Sequence, residues 1–164
     1  MLYPNYYETG VSVCGDEDVL RGQPYGGCAI VGLRNIHATV QIVSTTSRRI
    51  CVLKFCFHAV ILLFINVYLP HEDGEANSDE FSLQFSIIDN IVEQNQDCEV
   101  ILGGEFYLDF SINWSHTCLL NDFCTQINLY SVIRRTCSNV DYIHHFNMNR
   151  FTVLDHFFMS GGPI

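Results

Sequence analysis

A chain of 164 residues that is 48% hydrophobic and 13% aromatic has the material for one buried core, which excludes a disordered tail. Its 18 acidic residues outnumber 8 basic ones, for a formal net charge of −10. That balance argues against a standalone nucleic-acid binder, because phosphate contacts need clustered Lys and Arg. It leaves room for an enzyme that meets DNA through a few local contacts.

In chain order, the start "MLYPNYYETG" lacks the basic and apolar regions of a signal peptide. Residues 26–33, "GGCAIVGL", read as a strand entered through glycines, and 39–43, "TVQIV", as another. The tract 50–69, "ICVLKFCFHAVILLFINVYL", is apolar enough to invite a membrane reading. Lys54 and His58 interrupt it, and the remainder is too short to cross about 30 Å of hydrocarbon as a helix. It reads as two buried strands, 50–57 and 60–68, with a tight turn near His58 and Ala59 and a stop at Pro70.

Next comes the polar loop "HEDGEANSDE", in which Asn77 and Glu80 have capping-box spacing. Phe81, Phe85, Ile88, Ile91 and Val92 recur at helical intervals, predicting an amphipathic helix to about residue 94. A strand follows at 99–102, a short helix at 115–127 and a strand at 129–133. A hairpin of 141–146 and 151–160 closes the series. No repeat or linker divides the chain, so one α/β domain is expected over residues 1–164.

The eight cysteines, Cys14, Cys28, Cys51, Cys56, Cys98, Cys118, Cys124 and Cys137, include no CxxC. They are scattered through apolar stretches like reduced core thiols, which argues against zinc and for an intracellular, nuclear or cytoplasmic location.

Polar groups at the ends of apolar strands are the candidates for chemistry. Tyr68 ends "INVYLP", Glu105 follows two glycines in "VILGGEFYLDF", and Asp155 interrupts "RFTVLDHFFMS". Each has a plain structural reading beside the functional one. Tyr68 is a core aromatic with its hydroxyl at the edge, Glu105 a solvated loop carboxylate, and Asp155 a buried carboxylate that needs a histidine, an arginine or a metal. His156 alternates with Asp155 and faces away from it. His144 and His145 point to opposite faces of their strand.

"RGQPYGGCAI", "INVYLP", "VILGGEFYLDF" and "RFTVLDHFFMS", in this order and spacing, resemble the endonuclease/exonuclease/phosphatase family, in particular the endonuclease domains of LINE-type (non-LTR) retrotransposons. The resemblance implies a four-layered α/β sandwich, two mostly antiparallel sheets facing each other with helices outside, here incomplete at both ends. It implies Mg²⁺-dependent cleavage of phosphodiesters in DNA. Magnesium takes oxygen ligands and offsets charge on the phosphate, while an Asp-His pair activates water.

Carried over position by position, Tyr68 matches the tyrosine beside the phosphate. Glu105 matches the aspartate, and Tyr107 the asparagine, of a strand-tip Asp-x-Asn. Asp155 matches the carboxylate that orients the catalytic histidine. The departures are as informative. The family's metal-binding glutamate belongs to an early strand, and neither Glu8 nor Glu17 follows one in the right place. The catalytic histidine belongs to a later Ser-Asp-His that this sequence does not contain, and His156 is not that histidine. Glu105 moves its oxygens by about one bond length, roughly 1.5 Å, relative to aspartate, and misplacements of about 1 Å cost on the order of a hundredfold in rate.

The expectation is therefore a vestigial site in a truncated, inactive relative of a DNA-nicking phosphodiesterase. An active phosphoester hydrolase of the same family is one alternative. A non-enzymatic interaction module with open sheet edges is another. Missing outer strands would also make "AVILLFINVYL" an aggregation risk.

Overall fold

The computed structural model describes residues 6–12, 27–34, 36–70, 75–108, 115–132, 144–145, 151–152 and 155–161. Its main body is a six-stranded mixed sheet. The strands are β3 (Thr39–Val43), β4 (Ile50–Cys56), β5 (Ile61–Tyr68), β6 (Glu99–Glu105), β7 (Leu129–Ser131) and β10 (Asp155–Ser160), in the spatial order β3-β4-β5-β6-β10-β7. All neighbours are antiparallel except β5 and β6. A parallel pair needs a crossover, and helix α1 (Glu75–Glu93) lies between these two strands in the chain. The apolar tract that invited a membrane reading is the β4–β5 hairpin, closed by a Phe57 N–H to Val60 carbonyl bond of 2.9 Å. No helix of the described residues is long and apolar enough to cross a membrane.

The two faces of this sheet carry different cores. Ile50, Val52, Leu63, Ile65, Val67, Val100, Leu102 and Phe158 point to one side, where they meet α1 and helix α2 (Ser115–Gln126) through Phe81, Phe85, Ile88, Ile91, Leu120 and Phe123. Cys51, Leu53, Phe55, Phe64 and Tyr68 point to the other. There they meet Cys28 and Ile30 of β2 (Gly27–Leu33), which pairs antiparallel with β1 (Tyr6–Ser12). Two sheets thus face each other, with helices outside the larger one. The described residues form three layers of the expected four.

Several expectations need correction. β1 was not foreseen, and its Glu8 is exposed opposite Val31 on the outer surface of the small sheet, away from the large one. Asn77 lies within α1 rather than ahead of it. Its expected partner Glu80 instead accepts a bond from Gln84 at 2.7 Å and pairs with Arg49 at 3.4 Å. Of the predicted closing hairpin the described residues show two short antiparallel strands, β8 (His144–His145) and β9 (Phe151–Thr152), and the rest of 141–154 lies outside the described residues. From Asp155 onward the chain leaves that hairpin and enters the large sheet between β6 and β7, because its alternate residues His156 and Phe158 bury on the helix side.

Candidate functional site

The register across three strands brings the candidate residues into one row. Tyr68 of β5 is opposite Glu105 of β6, and Glu105 is opposite Asp155 of β10. Directly opposed residues share a face, and Tyr68 fixes which: the face turned toward the small sheet. Residues 87 positions apart in the chain therefore stand side by side at one end of the large sheet. Asp155 is exposed there rather than buried. The small sheet packs on β4 and β5, so at the β10 end this face is more open, and Phe157 beside it is 44% exposed. The carboxylate is therefore hydrated and has no need of a buried counter-charge.

The two glycines that precede Glu105 have distinct causes. Gly104 has a φ of +133°, and a Cβ there would run into the carbonyl oxygen of Val67 and lie 2.8 Å from the Asn66 side-chain oxygen. Only glycine lets β6 approach β5 this closely. A Cβ on Gly103 would meet the Phe157 ring at 2.5 Å, so that ring lies over bare backbone.

Beyond Glu105 the chain is pinned on both sides of Tyr107. Phe106 and Leu108 are fully buried. His156, also buried, bonds through Nε2 to the Leu108 carbonyl at 3.0 Å, and its ring meets Phe106 edge-on at 5.9 Å. His156 faces away from Asp155, as expected, but it is His156 and not Asp155 that enters the core, where it acts as a tether for the strand tip. With its neighbours held inward, Tyr107 projects the other way, with a φ of +52°. That left-handed conformation is uncommon for a bulky residue and better tolerated by asparagine, the residue that the resemblance places at this position.

Tyr107 then meets Tyr68. Their hydroxyls lie 2.9 Å apart, and their rings are edge-to-face at 5.6 Å and 86°. Burial first, then the Tyr68 hydroxyl and the nearby negative charge of Glu105, push the Tyr107 phenol above its ordinary range. Arg49, which the sequence did not single out, stands behind Tyr68. Its guanidinium lies 5.8 Å from the Tyr68 ring centroid, donates to the Tyr68 carbonyl at 3.3 Å and pairs with Glu80. Its position follows from β4–β5 pairing, which continues through the Tyr68 N–H to Arg49 carbonyl bond.

The tip thus offers two opposed carboxylates and two linked phenols. The described residues contain no group of three or more His, Cys, Asp or Glu side chains able to hold a metal ion. Glu105 and Asp155 alone do not make a complete magnesium site. Without a cation between them, two adjacent carboxylates repel a phosphodiester.

No family model matches the chain, and no curated protein matches it by sequence. Solved structures do match. The endonuclease domain of TRAS1, a telomere-specific non-LTR retrotransposon, superposes with a TM-score of 0.70 at 11% identity, over 97% of this chain and 68% of that one. The human Nocturnin catalytic domain gives 0.60 at 16% identity, over 95% and 61%. An endonuclease/exonuclease/phosphatase family protein from Bacteroides thetaiotaomicron gives 0.57 at 19% identity, over 96% and 62%. The chain spans less than two thirds of the last two. At these identities the likeness is one of fold: the chain has the α/β fold of the endonuclease/exonuclease/phosphatase proteins, a group of nucleases and phosphatases.

Proposed function

We propose that the Tyr68–Glu105–Asp155 row derives from the phosphate-cleaving site of a Mg²⁺-dependent, DNA-nicking phosphodiesterase, and that in this chain the site does not turn over. The observation that carries this reading is the Tyr107–Tyr68 hydroxyl bond at the tip of that row. It engages the hydroxyl that a phosphate oxygen would use, and it puts an aromatic ring where the resemblance places a compact amide. Glu105 carries its charge one methylene too far, and His156, the histidine next to Asp155, is committed to the core. When bound, magnesium supplies charge neutralisation at the phosphate. Among the described residues Glu105 and Asp155 are the donors that would hold it, and they do not complete its site.

The test is nicking of supercoiled plasmid by the purified, folded chain with Mg²⁺, beside Asp155→Asn. No nicking above background is expected from either protein. Nicking that requires both Mg²⁺ and Asp155 would overturn the reading and favour an active hydrolase of the same fold. A third reading, a non-enzymatic interaction module, draws on β3, which forms an edge of the described sheet and exposes Ile42 at 63%. Such an edge can accept a partner strand. Loss of partner binding on Ile42→Lys, with nicking absent throughout, is the outcome that would favour it.

A further inference from the structure

Two thiols from different sheets meet in the layer between them. Cys28 belongs to β2 of the small sheet and Cys51 to β4 of the large one; they are 8% and 2% exposed. Both are free thiols and share one apolar cluster with Ile30 and Leu53. An independent bond fixes how the sheets are aligned at this point. Asn66 is the cross-strand partner of Cys51, and its amide nitrogen donates to the carbonyl of Ala29, the residue after Cys28, at 2.9 Å. Both thiols are thus buried in the same small cluster between the sheets.

We propose that Cys28 and Cys51 form a redox site, a dithiol that a small disulfide oxidant such as glutathione disulfide converts into an inter-sheet disulfide. The inference is independent of the phosphoesterase reading. The two sulfurs are not equivalent. The neighbouring Cys51 thiol lowers the Cys28 thiol, and the same pairing together with burial raises Cys51. Cys28, on the smaller sheet and the more accessible of the two, is the attacking sulfur and reacts as its thiolate. Its thiolate attacks glutathione disulfide, a Cys28–glutathione bond forms, and one glutathione thiolate leaves. Cys51, deprotonated as it attacks, then bonds to the Cys28 sulfur and displaces the second glutathione. The two protein thiols are oxidised, the glutathione disulfide is reduced, and the two protons end on the two released glutathiones. Access comes from transient opening of the two-stranded sheet, because a small sheet packed on one face opens more readily than a central strand.

The experiment equilibrates the full native chain in buffers of graded glutathione to glutathione disulfide ratio, quenches with acid, alkylates and maps peptides. Oxidised samples should contain a linked Cys28–Cys51 peptide that dithiothreitol removes. Their melting temperature should rise by roughly 5–10 °C, as expected for closing a loop of this length. Cys51→Ser should trap glutathione on Cys28. If both cysteines stay alkylated in strongly oxidising buffer, or link only to other cysteines, the proposal fails. Should Cys51→Ser not fold, the wild-type peptide map decides alone.

Discussion

At Gly104 the space for a side chain is already taken by the backbone of β5, and the backbone is left-handed. Gly104→Ala must push two paired strands apart, so it should cost about 3 kcal/mol or more in denaturant unfolding. Gly103→Ala meets only the rim of a half-exposed phenylalanine that can swing aside, and a cost of about 1 kcal/mol is expected. Equal costs at the two positions would contradict this account. Tyr107 makes a second prediction. Its phenol titrates higher in the folded chain than in the unfolded one. Such an acid adds stability that is fully present below the unfolded value of about 10 and is lost as the pH rises through the folded value. Between about pH 9 and pH 11, denaturation midpoints of the wild type should fall more steeply than those of Tyr107→Phe; parallel curves would show that the phenol is not perturbed.

Among the elements, α1 covers the large sheet and packs its apolar face into the core. It joins β5 to its parallel neighbour β6 and buries Phe81, which stacks on His116 at 4.0 Å and meets Phe85 edge-on at 4.8 Å. Phe81→Ala should cost about 3–5 kcal/mol in urea unfolding, whereas Leu83→Ala, on the exposed side, should stay within about 0.5 kcal/mol. This helix was legible in the sequence because its apolar residues repeat at helical spacing. The β4–β5 hairpin was legible because β-branched and aromatic residues run up to Pro70. Its Lys54 reaches the loop after α1, bonding to Asn95 at 3.2 Å and Asp97 at 3.3 Å. β1 was not legible, since "YYETGVS" has no clean alternation of apolar and polar residues. The division of residues 151–160 between two sheets depends on long-range pairing that no local pattern reports. Three of the four candidate site residues stood out as polar ends of apolar strands. The burial assumed for Asp155 came from its apolar sequence neighbours, which turn to both faces of β10. Arg49 was hidden because its role arises only after β4 and β5 pair.

At the scale of the whole molecule, order should decline outward from the middle of the large sheet. Ile50, Val52, Leu53, Leu63, Ile65 and Leu102 are completely buried, while β3 forms one edge with Ile42 exposed. Hydrogen exchange should therefore be slowest in β4, β5 and β6 and faster in β3 and the β1–β2 pair; protection in β1–β2 equal to that in β5 would mean that the small sheet is no separate opening unit. The same arrangement bears on aggregation. Most of "AVILLFINVYL" is β5, an interior strand paired on both sides, so the native fold covers the backbone of its most adhesive segment. The acidic balance, −10 overall, disfavours a nucleic-acid partner that relies on charge alone.

The strand order also has a consequence in time. Of the six described strands of the large sheet β10 comes last in the chain, yet it sits between β6 and β7. Until it is made, those two earlier strands cannot close the gap with their native pairing, and each presents an unsatisfied edge to the cell. The large sheet can therefore be completed only after synthesis has passed residue 160. Through that interval the growing chain leaves the β6 edge open, which is where a chaperone, or a stray strand from another chain, would be expected to engage it.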